Sequence, residues 1–229
     1  MTTSRIWLHR IHRWLGLIVG IQVLLWMLSG FYFSLYPIEE IRGNHLTHSE
    51  ADIFVMDADQ IVSIDQVRTG ARMVTLKPFL DGPIYEIQSA TIRWIVDAQS
   101  GEQLSPISER LAQRMALARW AGDGQLQTLT RLDPAPAESG AEGAVWQASF
   151  EGADSADLYI EEDIGELRAV RTQKWRLFDF LWGLHIMDWQ DRETFTSWWV
   201  TLFAGLSLVF AVSGIAILVG KARRGVLFR

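Results

Sequence analysis

The chain has 229 residues, of which 49% are hydrophobic and 11 are tryptophan, and its formal net charge is −6. It contains no cysteine, which excludes disulfides, thiolate metal sites, iron–sulfur clusters and covalently attached c-type haem. The acidic balance is atypical of nucleic-acid-binding proteins, so the sequence predicts no nucleic-acid partner.

The first predicted elements are a basic tail at residues 1–13 and a membrane span at residues 14–36. This span has 23 residues without a formal charge, and Gln22 is its most strongly polar side chain. At 1.5 Å per residue it is long enough to cross a hydrocarbon core of about 30 Å. It is longer than the apolar core of a signal peptide and no small-residue cleavage site follows, so we predict a retained transmembrane helix.

Residues 37–172 are predicted to form an exported domain of alternating helices and strands. Ser105 is predicted to cap a helix that has Pro106 at its first position. The predicted helices are 59–72 and 105–120, and the predicted strands are 73–78, 84–88, 90–97, 125–132, 145–150 and 157–162. The simplest interpretation is an α-β-β-β unit that occurs twice, at about residues 51–104 and 105–172. Gly101 and Gly165 are predicted to take positive φ angles in the turns of these units.

The chain is predicted to end with an interfacial aromatic helix at 173–197, a second transmembrane helix at 198–220 and a basic tail at 221–229. The two tails carry seven basic and no acidic residues, whereas residues 37–197 have a net charge of −13. The positive-inside rule therefore predicts an inner-membrane protein with both termini in the cytoplasm. The central domain would then be periplasmic or otherwise extracytoplasmic.

Three stretches of the sequence resemble one family. The stretch "VDAQSGEQL" after a Tyr-Glu-Ile strand resembles the end of a PepSY domain, and "HRWLGL" and "LWGLHIMDW" are similar to segments of PepSY-associated transmembrane proteins. The resemblance covers most of the chain, although longer members have four or more spans and this chain has two. It implies an α+β membrane protein in which two transmembrane helices flank an exported domain of two PepSY-like α-β-β-β units.

Some larger members of this family are b-type haem-binding reductases of ferric siderophores. The resemblance therefore implies that His12 and His185 match positions that can carry haem ligands. On a helical projection, His12 begins a stripe of small residues that includes Gly16 and Gly20. A second stripe lies in the second span and comprises Ala204, Ser207, Ala211 and Gly214.

Two interpretations of these stripes remain open. The stripes can pack against each other, because small residues let helix backbones approach closely in lipid. Alternatively, haem b rests on Gly16 and Gly20 with His12 as a ligand. We expect residues 217–224 to face His12, and they offer no second ligand. We expect His185 to lie a membrane thickness away, so a haem at His12 would need His9 and His12 from two copies, or a partner subunit. A separate outer haem could use His185 with His45 or His48, if the short segments fold back.

The other histidines and the surroundings of His185 also leave alternatives. His185 shares a helix face with several aromatic residues, which is typical of an interfacial helix with a hydrogen-bonded histidine and also of a site with one imidazole. His45 and His48 lack a nearby third ligand, so the sequence predicts no metal site beyond haem iron.

Three classes of function are consistent with these features. The leading hypothesis is an accessory or electron-transfer subunit of a membrane redox system, such as iron assimilation, that binds haem b. The alternatives are a regulatory module that binds an exported protein such as a peptidase, and an assembly subunit of a larger membrane complex. Both tails are too short to hold a flavin or nicotinamide, so we predict no stand-alone enzyme. The expected partners are the lipid bilayer, a second copy or another membrane protein, and an exported protein.

Overall fold

The computed structural model of the chain describes residues 3–48, 60–63, 70–80, 82–189 and 197–223. It divides into two compact units: residues 1–37 with 176–229 form a helical unit, and residues 38–175 form a sheet unit. The elements in chain order are α1 (Thr3–Leu35), α2 (Ile38–Ile41), a 3-10 turn (Asn44–Leu46), β1 (Met73–Phe79), β2 (Gly82–Gln88), β3 (Arg93–Asp97), α3 (Glu109–Arg119), β4 (Gln125–Leu132), a second 3-10 turn (Ala137–Ser139), β5 (Val145–Glu151), β6 (Ala156–Glu161), β7 (Leu167–Thr172), α4 (Gln173–Ile186) and α5 (Trp198–Ala222).

The helical unit contains two long apolar helices. Ile6–Leu35 within α1 and Trp198–Ala222 have mean hydropathies of 1.9 and 2.5, and both are long enough to cross a membrane. They pack on each other, with Ser213 of α5 hydrogen-bonded to His12 of α1. The predicted span at 198–220 lies within α5, and the predicted span at 14–36 ends one residue beyond α1. Because α1 begins at Thr3, most of the predicted tail at 1–13 is helical.

The sheet unit contains two antiparallel sheets whose strands follow sequence order. One sheet has the order β1-β2-β3 and the other has the order β4-β5-β6-β7. Successive side chains on a strand point to opposite faces, and both faces of the second sheet are covered. Phe150 and Leu158 lie in the cluster that α3 covers, whereas Val145 and Tyr159 lie in a separate cluster on the other face.

The predicted repeat differs from the observed topology. The second sheet has four strands rather than three, because residues 167–172 form a full strand that pairs with β6. The predicted helix at 59–72 falls largely outside the described residues. The structure therefore has an antiparallel, sheet-rich region between two long apolar helices, and its two sheets differ in strand number.

The predicted start of α3 is wrong. The helix begins at Glu109, and the side chain of Ser108 rather than Ser105 accepts a hydrogen bond from the Leu111 N–H. The difference arises from tertiary contacts, because Ile107 is only 1% exposed and its N–H donates to the carbonyl of Glu162. Burying this isoleucine in the core requires an extended chain where a helix was predicted.

Candidate functional site

His12 lies between the two long helices. Its Nδ1 atom is 2.8 Å from Ser213 Oγ, and its ring is parallel to that of Phe210 with the centroids 4.4 Å apart. A Cβ atom added to Gly214 would lie 3.1 Å from His12 Cε1. The absence of a side chain at Gly214 therefore lets the imidazole lie close to the backbone of α5.

His185 lies in α4 and contacts α1. Its Nδ1 atom is 2.7 Å from Ser29 Oγ, and its backbone carbonyl accepts a hydrogen bond of 2.7 Å from the Trp26 indole. The Phe33 ring meets the imidazole edge-on at a centroid distance of 5.6 Å, and the Trp182 ring is 6.3 Å away. Ser29 has no exposed surface, so this hydrogen bond is shielded from solvent.

The hydrogen bonds of the two serine hydroxyls favour the Nδ1–H tautomer of each imidazole. Ser213 Oγ donates to the Phe210 carbonyl at 2.8 Å, and Ser29 Oγ donates to the Leu25 carbonyl at 2.8 Å. A hydroxyl has one proton, so each serine then accepts its second hydrogen bond from an Nδ1–H group. This assignment, which follows from the hydrogen-bond network, leaves a lone pair on Nε2. Within the described part of the chain, neither Nε2 atom has a hydrogen-bond partner.

The two imidazoles lie at different depths of the helical unit. His12 and Ser29, which binds His185, are 17 residues apart on the same helix. At 1.5 Å per residue this separates the two sites by about 25 Å. This separation is too large for one metal ion to contact both imidazoles of the same chain.

The segment of α5 opposite His12 differs from the prediction. We expected residues 217–224 to face it, whereas the observed neighbours are Phe210, Ser213 and Gly214. The difference arises because α1 begins at Thr3, which places His12 in the third turn of the helix rather than at its entrance. None of these three neighbours is a histidine or methionine.

The predicted glycine face of α1 is only partly in contact with α5. A Cβ atom at Gly16 would be 3.0 Å from the Phe210 ring, whereas nothing lies within 4 Å of a Cβ atom at Gly20. The buried residues are instead Val19, Gln22 and Ser29. The buried face is therefore turned relative to the small-residue stripe.

The predicted small-residue stripe of α5 is also only partly in contact with α1. Gly214 lies against His12, but Ala204 and Ala211 are exposed. Ser207 Oγ and Gln22 Nε2 are buried atoms that lack a hydrogen-bond partner among the described residues. Gln22, the most strongly polar side chain of the first predicted span, lies on the buried face of α1.

The two serine partners were missed by the sequence reasoning. Ser29 and Ser213 are visible as hydroxyl residues inside apolar spans, which was the available signal. Their pairing with histidines 156 and 201 residues away depends on how the helices pack. His45 and His48 belong to the sheet unit, and the described residues contain no group of three or more potential metal-ligating side chains.

Burial lowers the pKa of His185 below its ordinary value. The unfolded chain therefore takes up a proton on this residue at a higher pH than the folded chain does. The stabilising contribution is complete above the ordinary pKa of about 6.5 and is lost as the pH falls through and below it.

We therefore expect acidification from about pH 7.5 to about pH 5.5 to destabilise the helical unit less in His185→Gln than in the unchanged protein, since these values bracket the ordinary histidine pKa. Hydrogen exchange of α1 amides in detergent micelles measures this difference. An equal loss of protection in both proteins would contradict it, and His9→Gln, one turn from His12 and exposed, is the control.

Comparison with known proteins identifies the family. The family model described as "PepSY-associated TM region" matches residues 9–229. The comparison with curated proteins found no match, and neither did the comparison with solved structures. The family match covers nearly the whole chain, including most of α1, all of α5, both sheets and both histidine sites. The chain is therefore a membrane protein that belongs to the family of PepSY-associated TM regions.

Proposed function

We propose that this protein is an accessory subunit of a membrane redox system such as iron assimilation, in which His12 and His185 would each help to hold a b-type haem. The observation that carries the proposal is the shared geometry of the two imidazoles. Each is oriented through Nδ1 by a serine hydroxyl and has an Nε2 lone pair without a partner in the described part of the chain. A histidine ligand commonly has this arrangement, in which a hydrogen bond to one ring nitrogen orients the other.

The described residues supply one imidazole for each proposed haem. Each end of the helical unit offers one imidazole, and the spacing of about 25 Å along α1 assigns the two histidines to separate haems. A second chain therefore completes each site. The open space at Gly20 and at Gly30 is consistent with a second chain, because glycines on an exposed helix face allow another helix to approach closely.

The side chains around each imidazole have defined roles in this proposal. Ser213 and Ser29 keep the proton on Nδ1, and therefore keep Nε2 available. Phe33, Trp182 and Phe210 surround the imidazoles with aromatic rings and limit the access of water. When bound, haem b supplies one-electron transfer, and its potential depends on the ligands and on the polarity around them.

The proposal includes the topology of the chain. We place α1 and α5 across the inner membrane with both termini in the cytoplasm and the sheet unit in the periplasm. The charge distribution supports this orientation, because the basic residues at both ends contrast with the acidic segment between them. The lipid bilayer and a second membrane chain are then the partners.

An absorption spectrum tests the haem assignment. We expect the purified protein, expressed with sufficient haem, to show a Soret band that shifts on reduction. His12→Ala and His185→Ala should each remove one of two absorbing sites, and the double variant should remove both. Ser29→Ala and Ser213→Ala should keep absorption but change the reduction potential, because they remove the Nδ1 hydrogen bond.

The control is His9→Ala, which removes an exposed imidazole one turn from His12. It should leave the spectrum unchanged. A protein without a Soret band, or a double variant with an unchanged band, would exclude His12 and His185 as haem ligands.

A further inference from the structure

A basic groove lies along β7 at the edge of the four-stranded sheet. Its volume is about 470 Å³, and the residues that form it include Arg42, Arg168, Arg171, Trp175, Asn44 and Thr47. The described lining contains no acidic side chain, although residues 37–197 have a net charge of −13. The groove is therefore a local positive surface on an acidic segment.

The close packing of Gly43 brings Arg42 into the groove. A Cβ atom at Gly43 would lie 2.8 Å from Val170 Cγ1 of β7, so only a residue without a side chain lets this part of the chain lie against the strand. Arg42 and Asn44 flank Gly43 and border the groove from this side.

The three arginines of the groove differ in how many N–H donors of the guanidinium group are already hydrogen-bonded within the protein. Arg171 Nε donates to the Glu138 carbonyl at 2.5 Å, and its guanidinium lies 3.9 Å from the centre of the Trp175 ring, so it forms a fixed wall. Arg168 donates a long hydrogen bond of 3.2 Å to the Gly140 carbonyl and is otherwise exposed. The Arg42 backbone N–H donates to the Ile38 carbonyl at 2.9 Å, whereas its guanidinium is exposed and has no hydrogen-bond or ion-pair partner among the described residues.

Two exposed guanidinium groups beside an aromatic wall favour a phosphate-bearing ligand. A guanidinium presents parallel N–H donors that match two oxygens of a phosphate, and such charge-assisted bonds are stronger than neutral ones. The positive charge of the groove alone would also favour the binding of a carboxylate-rich peptide. The position of the groove in the chain distinguishes these two possibilities.

The groove residues are tethered to the membrane helices by short stretches of chain. Arg42 follows Leu35, the last residue of α1, by seven residues, which reach at most about 25 Å. Trp175 lies in the first turn of α4. Arginine and tryptophan near the end of a spanning helix are the residue types that bind headgroups.

We propose that this groove binds the phosphate of an anionic phospholipid headgroup, with Arg42 and Arg168 as the phosphate-binding residues. The inference rests on the membrane insertion proposed above but does not involve His12 or His185.

Lipid binding to the full-length protein in a non-ionic detergent tests this inference. Native mass spectrometry with added short-chain phosphatidylglycerol should show bound lipid, and short-chain phosphatidylcholine should bind less. Arg42→Gln with Arg168→Gln should weaken phosphatidylglycerol binding by about tenfold or more, because two charge-assisted contacts are lost. Arg72→Gln with Arg110→Gln removes the same charge from exposed positions outside the groove and should leave binding unchanged.

Four results would overturn the inference. Equal binding of the two lipids would exclude recognition of the anionic headgroup, and an equal loss in the control variant would show that only net charge matters. Displacement of the lipid by inorganic phosphate at matched concentration would identify a free-phosphate site, and displacement by an acidic peptide would identify a protein partner. Because the readout is lipid binding, failure here leaves the Soret test of the two histidines unaffected.

Discussion

Replacing Phe150 with alanine should destabilise the sheet unit by about 3–5 kcal/mol, which is the usual cost of removing a buried phenylalanine. Phe150 is only 2% exposed and lies in the cluster that α3 covers. Its ring stacks on Trp120 with the centroids 4.3 Å apart and 13° between the planes. The Trp120 indole is held by a hydrogen bond of 2.8 Å to the Gly124 carbonyl, so it cannot easily move to fill the cavity.

Hydrogen exchange of the full-length protein in detergent measures this effect. We expect the amides of β5 and β6 to exchange faster in Phe150→Ala, while those of α1 and α5 keep their protection. Ile92→Ala is the matched control, because Ile92 is 61% exposed and its removal leaves no cavity. A change below about 1 kcal/mol in Phe150→Ala would show that the core collapses around the missing ring.

The sequence predicts the two long helices and most strands because their apolar patterns are local. Residues 145–150 were predicted as a strand, and β5 is Val145–Glu151. The start of α3 was not predicted, because Ser105 and Ser108 are equally good caps in isolation. What distinguishes them is the burial of Ile107 against the rest of the sheet unit, which is a property of the folded chain.

Only part of the candidate site was predicted from the sequence, because the rest depends on how the helices pack. The family resemblance of "HRWLGL" and "LWGLHIMDW" indicates His12 and His185, but not the serines that bind them. Ser29 and Ser213 contribute through the rotation and the relative depth of helices that are distant in sequence. The glycine stripe did not predict that rotation correctly. Val19 and Gln22 are buried, whereas nothing lies within 4 Å of a Cβ atom at Gly20.

The turn glycines also show that local sequence does not predict tertiary packing. Gly101 and Gly165 were both predicted to need positive φ, and the structure confirms φ angles of +77° and +68°. Nothing in the two turn sequences shows that their surroundings differ. A Cβ atom at Gly101 would lie 3.6 Å from Val62, an ordinary contact, whereas at Gly165 it would lie 2.9 Å from Met115 Sδ and 3.0 Å from Phe79.

Gly165→Ala should therefore destabilise the sheet unit by about 2–5 kcal/mol, and Gly101→Ala by only about 1–2 kcal/mol. Both variants incur the strain of a left-handed residue, roughly 1–2 kcal/mol, and only Gly165→Ala adds overpacking of about 1–3 kcal/mol. Hydrogen exchange of the β2 and β6 amides compares the two. If the two variants lost equal stability, Met115 and Phe79 would have to move away at no cost, which conflicts with the 5% exposure of Met115. A larger loss at Gly165 would show that packing, rather than turn geometry, makes this glycine necessary.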